Sequence, residues 1–219
     1  MKLFFSSPIS ATNSVQLSTN PKFSIQPSEQ NPQDKIIQNP QQQLVELKKI
    51  GLGSLDQAIH LLRNVITQDA QLTNKSKIIC CGTVGKHLRH LHDHFKILLE
   101  TSESRTNTLN YDVRRKNNFM ENSRQVALNE FETTRNKLIQ VLDSRIQNLN
   151  QDQKLNLISV TPAKMKFQTS FNRELWFAIS HAIHHFALIR AIVTRELSLK
   201  LPQSFGVAPN TIINFKSKL

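Results

Sequence analysis

The sequence predicts an all-α protein, a four-helix bundle with a disordered N-terminal tail. Three observations predict it. Glycine is scarce, 5 in 219 residues, while Leu, Ile, Gln and Lys are frequent, a composition that favours helices over a strand-rich sandwich. Apolar residues recur at three- and four-residue spacing over several long stretches, the period of one helix face. Five of the eight prolines (Pro8, Pro21, Pro27, Pro32, Pro40) crowd into residues 1–43 among Ser, Asn and Gln. Such a segment buries too little apolar surface to offset its ordering entropy. Residues 1–43 are therefore expected to be a disordered tail, and residues 44–219 the folded domain.

Composition excludes several classes. Two adjacent cysteines, Cys80 and Cys81, cannot frame a disulfide scaffold or a multi-cysteine zinc finger, and they suit a reducing compartment. They read as buried small residues without thiol chemistry. No continuous apolar run approaches the length of about 18 residues that a membrane span needs. The charge is strongly basic, 28 Lys+Arg against 16 Asp+Glu for a net +12, which can steer a protein toward nucleic acid. Here the charge is dispersed, without a dense basic run, and the chain has one Trp and one Tyr, so no base-stacking surface is expected. The N-terminal MKLFFSSPISATNS is too short in apolar residues for a secretory signal, and no Arg precedes Arg63, unlike a mitochondrial presequence. A cytoplasmic location is expected, with organellar targeting left open.

The elements follow in order. A short helical turn is expected over Leu44 to Ile50, ended by Gly51 and Gly53. Ser54 reads as an N-cap with Gln57 completing a capping box, and Leu55, Ile59, Leu62 and Ile66 carry a helix to about Gln68. The next helix runs from about Thr83 to Ser102. Its apolar line, Val84, Leu88, Leu91, Phe95 and Leu98, has the spacing of a seam between near-parallel helices. A third runs from about Ser123 to Leu149, with Ala127, Phe131, Leu138 and Leu142 inward. Residues 151–169, broken by Pro162 and bearing Leu157-Ile158-Ser159-Val160, suit an extended stretch or hairpin. The last helix runs from about Phe171 to Leu199, stopped by Pro202.

Seven of the eight histidines lie in two of these helices. At about 100° per residue, His87, His90 and His94 form one stripe bordering the apolar line, while Asp93, Arg89 and Lys96 fall on the solvated side. Glu174, His181 and His185 form a matching stripe in the last helix. His92 and His184 fall off the stripes, facing solvent or hydrogen-bonded to neighbours. Two His at i, i+4 can hold one ion from a single helix, and a third from another helix completes a triad with open positions. Neutral imidazole suits Zn, Ni, Cu or Fe, Zn and Ni foremost. Glu174 either serves the helix N-terminus through the dipole alone or joins the site as a ligand or as acceptor of a ligand His N–H, the last being favoured.

The segments TVGKHLRHLHDHF at 83–95, YDVRR at 111–115, RELWFAISHAIHH at 173–185 and LPQSFGVAP at 201–209 together resemble the DinB/YfiT-like superfamily of metalloproteins, in the expected order over about residues 50–210. The resemblance implies a four-helix bundle with a His triad for a divalent metal. His90, followed by Asp93, matches the family's His of the second helix. His181 and His185 match its closing H-x-x-x-H. His87 and His94 share the stripe and stay as alternative ligands. Phe186-Ala187 stands where the family has Arg-Gly, which places the chain in a divergent branch. Some relatives transfer low-molecular-weight thiols or act as hydrolases. In Tyr111–Arg115, Asp112 is expected to pin Arg114 or Arg115 as a loop clamp, with anion recognition by Arg114 as the alternative.

Three functions compete. The first is a metal-dependent enzyme of thiol-transfer or hydrolase type, acting on a small molecule such as a thiol, with a homodimer as the assembly. The second is a non-enzymatic bundle with a structural or vestigial metal site. The third, least favoured, is a basic nucleic-acid-binding module.

Overall fold

In the computed structural model, residues 36–113, 119–148, 151–208 and 211 are described. Their elements are α1 (Pro40–His60), α2 (Asp69–Thr73), α3 (Val84–Glu103), β1 (Thr108–Leu109), α4 (Arg124–Gln147), β2 (Lys154–Ser159), β3 (Met165–Ser170) and α5 (Phe171–Arg195). A π-turn (Leu61–Val65) follows α1, and a 3-10 turn (Phe119–Glu121) precedes α4. The protein is mainly helical, but not all-α. The 151–169 segment is a hairpin that recruits β1 into a three-stranded sheet of order β1-β2-β3.

α1 departs most from expectation. It starts at Pro40, inside the segment assigned to the tail, because Asn39 caps it. The Asn39 Oδ1 accepts from the Gln41 and Gln42 backbone N–H groups at 2.9 and 3.4 Å, and Pro40 sits where its missing N–H costs nothing. Residues 1–35 of the expected tail lie outside the described residues. The helix then runs straight through Gly51 and Gly53. A Cβ on Gly51 would stand 3.3 Å from Leu138 Cδ2 and 3.5 Å from Ile179 Cδ1. This glycine therefore lets α1 approach α4 and α5 rather than ending the helix. Ser54 caps nothing. It is buried, and its hydroxyl donates back to the Ile50 carbonyl at 3.1 Å.

α3 and α4 begin where the sequence places them, with Thr83 and Ser123 as caps whose hydroxyls accept from Lys86 N and Val126 N. Val84, Leu88, Leu91, Phe95 and Leu98 are all fully buried. Each such side chain contributes roughly 1.5–3 kcal/mol of burial. α1 packs on α4 and α5, and α3 packs on α5 and α4, around a core that includes Leu55, Phe131, Leu138, Leu142, Leu175 and Phe186. By length and composition α5 is also apolar enough to cross a membrane, although polar residues interrupt its apolar run. Its apolar residues Leu175, Ala178, Ala182, Ile189 and Val193 are spent on this core.

The sheet fixes the start of α5. β2 pairs antiparallel with β3 from Lys154↔Ser170 to Ser159↔Met165, and β1 lies parallel to β2 with Leu109↔Leu157. The Thr161–Pro162 bond in the hairpin loop is cis. β3 runs directly into α5, and Ser170 is both last strand residue and N-cap. Phe171 N donates to Gln153 O at 2.9 Å, and Asn172 N to Asp152 Oδ1 at 2.9 Å. At its other end α5 stops at Arg195, four residues earlier than expected. The segment beyond it folds back: Arg190 Nη1 donates to the carbonyls of Pro202, Gln203 and Phe205, and Phe205 is buried against Phe186.

Candidate metal centre

α3 and α5 bring their histidine stripes face to face. One nitrogen from each of His90, His181 and His185 lies within 4.8 Å of the others. The Nε2 atoms of His181 and His185, one turn apart on α5, are 3.1 Å apart. An ion with Zn–N bonds of about 2.0–2.1 Å holds its nitrogens roughly 3.3 Å apart in a tetrahedral set, so small side-chain rotations suffice to close the triad. His185 is buried, His181 half-buried and His90 exposed at the rim, leaving the third member open to solvent.

The imidazoles are held neutral, the form that ligates. Burial, then the neighbouring His94, His90 and His184, pushes His181 down to about 3. Burial, then His181, His90, His87 and His184, pushes His185 down to about 3 as well. His90 is lowered by burial among the other rings and by His94 and Arg89, against an opposing effect of Asp93.

The two alternative ligands have other positions. His87 Nδ1 meets His185 Nδ1 at 3.0 Å, and among the described residues its own Nε2 is buried without a partner. His94 turns its Nδ1 to the His90 carbonyl at 2.9 Å and stacks on Tyr111, with ring centroids 4.6 Å apart. Neither joins the close group of three nitrogens.

Glu174 is fully buried at the start of α5, but it does not accept from a ligand His as expected. Its carboxylate accepts from Tyr111 Oη at 3.1 Å, Thr169 Oγ1 at 2.7 Å and Arg173 Nη1 at 2.7 Å. Among the described residues none of its hydrogen bonds reaches a triad imidazole. It acts through Tyr111, whose ring flanks His94. Burial and the Glu174 carboxylate push the Tyr111 hydroxyl up, so it stays protonated. The residue that does bond a triad imidazole is His87. His87 shares its stripe with His90 and is there an alternative ligand, because helical angle does not tell a ligand from a group that bonds one.

Other expectations need correction. Asp93 is buried, not solvated, and accepts from Arg89 Nη1 at 3.0 Å, while Arg89 Nε also pairs with Glu121. Arg89 thus ties α3 to the turn before α4. Of the two positions expected of His92, facing solvent or hydrogen-bonded to neighbours, the second holds, and the ring is buried. Its Nε2 lies 2.8 Å from Thr134 Oγ1 and its ring stands edge-on to Phe131, joining α3 to α4. His184 is exposed. Asp112 accepts from Val160 N at 2.7 Å, pinning the hairpin. Arg114 and Arg115, its expected partners, lie outside the described residues. Cys80 and Cys81 are both exposed, because they form the tip of a turn rather than the entry to the core.

No family model matches the chain, and no solved structure matches it. A curated relative, FK506-binding protein 5 of Rhizopus delemar, is 31% identical over 173 residues, which are 76% of this chain and 37% of that protein. The chain therefore spans little more than a third of the relative's length.

Proposed function

We propose that this chain is a divalent-metal-binding protein of DinB/YfiT-like type, in which α1, α3, α4 and α5 form a four-helix bundle and His90, His181 and His185 hold the ion. The observation that carries this reading is the convergence of those three imidazole nitrogens within 4.8 Å from two facing helices. The donor set fits Zn or Ni: three neutral nitrogens and no thiolate. The exposed side at His90 favours an open site of the kind enzymes use over a closed structural one. A metal held there supplies Lewis-acid polarisation of a bound substrate or ionisation of water near neutral pH. The protein's own contribution is orientation. His87 fixes the ring of His185, and the Glu174–Tyr111–His94 stack walls the site on the side of the sheet.

The reaction class that goes with this reading is thiol transfer or hydrolysis on a small molecule, with a thiol as candidate substrate and a second copy of the chain as candidate partner. The binding of FK506 named for the Rhizopus relative belongs to a protein of which this chain matches 37%, and no residue of the triad depends on it.

The test is metal content. The full chain, without a His tag, is quantified by elemental mass spectrometry beside His185→Ala and His184→Ala. The expected result is about one Zn or Ni per chain in the parent and in His184→Ala, and loss in His185→Ala. His184 serves as the control because it is exposed; His92 does not, because it joins two helices. A parent that takes up no metal after incubation with Zn or Ni overturns the reading.

A further inference from the structure

Cys80 and Cys81 sit at the two central positions of a β-turn closed by Gly82 N donating to Ile79 O at 3.0 Å. Both side chains are exposed, and their sulfurs are 3.5 Å apart. Cys81 has φ +58°, at the position where such turns ordinarily place Gly or Asn. A side chain there is strained, and the surroundings hold it in place. Ser76 N donates to Gly82 O at 3.0 Å, and Ser76 Oγ accepts from Ile79 N at 2.8 Å. The Glu196 carboxylate, from just beyond α5, accepts from Lys77 N and Ile78 N at 2.6 and 2.9 Å. Lys86 Nζ donates to the Cys81 carbonyl at 3.1 Å. The turn is thus fastened at both ends while its two thiols project into solvent.

We propose that Cys80 and Cys81 form a preorganised bidentate thiolate site for a soft, thiophilic, three-coordinate centre, the chemistry of a trivalent arsenical. Thiolate is the ligand that selects soft centres. With sulfur–metal bonds of about 2.3 Å, a sulfur separation of 3.5 Å gives a bite angle near 100°. That is the bent geometry of a pyramidal centre. A linear two-coordinate ion needs the sulfurs more than an ångström further apart, and a disulfide needs them about 1.5 Å closer. The site also differs from the histidine triad in ligand class, since imidazole suits borderline ions such as Zn and Ni. The Cys81 thiol beside it pushes the Cys80 thiol up.

The capture reaction balances without an oxidant. Phenylarsine oxide and two thiols give one arsenic–dithiolate ring and one water, whose hydrogens are the two thiol protons. The arsenic stays trivalent and no electrons move.

The experiment uses the full chain, reduced and stripped of metal, so that its result is separate from the fate of the triad. Phenylarsine oxide is titrated and followed by intact mass and by the count of free thiols. The expected result is one arsenical per chain, loss of both free thiols, and binding at least about tenfold tighter than to the same chain unfolded in urea. Cys80→Ser and Cys81→Ser, both at an exposed turn tip, should each lose the adduct. An adduct that survives either single substitution, native binding no tighter than in the unfolded chain, or no adduct at all overturns the proposal.

Discussion

The Nδ1 atoms of His87 and His185 lie 3.0 Å apart, one on α3 and the other on α5. If His185 ligates through Nε2, its proton sits on Nδ1 and donates to His87, whose own proton then occupies the buried, partnerless Nε2. Each helix thereby fixes the tautomer of the other's ring. His87→Ala should weaken metal binding by about 10- to 100-fold while leaving the fold intact, and His87→Gln, which keeps an acceptor, should recover part of it. Competition with a metal-sensitive dye reads the affinity. Equal affinity in parent and His87→Ala would remove His87 from the site.

Acid should unfold the metal-free protein early. His181 and His185 are held at about 3 in the folded state, first by burial and then by neighbouring histidines, His94 and His90 for His181 and His181 and His90 for His185, against about 6.5 when unfolded. Between these values the unfolded chain binds protons that the folded chain does not. Their contribution to stability is therefore complete above about pH 6.5 and falls as pH drops toward 3. His87, His90 and His94, all lowered first by burial, add in the same direction. Urea midpoints measured at pH 7.5, 5.5 and 4.5 should decline steadily. A midpoint unchanged down to pH 4.5 would mean that these rings are solvated.

The buried carboxylate of Glu174 is expected to be structural rather than part of the metal site. Glu174→Ala strands the Tyr111 hydroxyl and the Thr169 hydroxyl, and should cost about 2–4 kcal/mol. Tyr111→Phe removes one bond and should cost about 1–2 kcal/mol. Both should retain metal wherever they stay folded. A folded Glu174→Gln that loses its metal would instead place this carboxylate beside the ligands.

Two glycines should respond with opposite sign. A Cβ on Gly85 would lie 2.1 Å from the Glu121 carbonyl oxygen, a backbone atom that cannot step aside. Gly85→Ala should destabilise by about 3 kcal/mol or more. Among the described residues Gly53 has nothing within 4 Å of its added Cβ, and it sits mid-helix, so Gly53→Ala should stabilise by about 0.5–1 kcal/mol. Thermal denaturation separates them. A stabilised Gly85→Ala would show that α3 does not meet the 119–121 turn so closely.

What sequence could and could not reveal differs element by element. Thr83 and Ser123 announced their helices because a cap is local: a side-chain oxygen meeting backbone N–H groups within three residues. Gly51 misled for the complementary reason. Its role is a close approach by Leu138 and Ile179, residues far along the chain. The same holds for β1, whose two residues become a strand only because β2 lies beside them, whereas the Asn39 cap that begins α1 is as local as those of Thr83 and Ser123.

The histidine stripes were legible because 3.6-residue periodicity places side chains on a helix face without reference to any other helix. Helical angle also put Asp93 and His92 away from the packing seam, yet both are buried. A second helix and a turn cover them, and periodicity records only one helix at a time. By itself, then, the sequence determined most of α3, α4 and α5, and the angular position of the histidines they carry, since these follow from interactions within a few residues. Only the tertiary structure decided that His90 meets His181 and His185, that His87 stands behind them, that Glu174 turns to Tyr111, and that Cys80 and Cys81 face outward. Those relations depend on which faces pack together, and packing is set by the whole core at once.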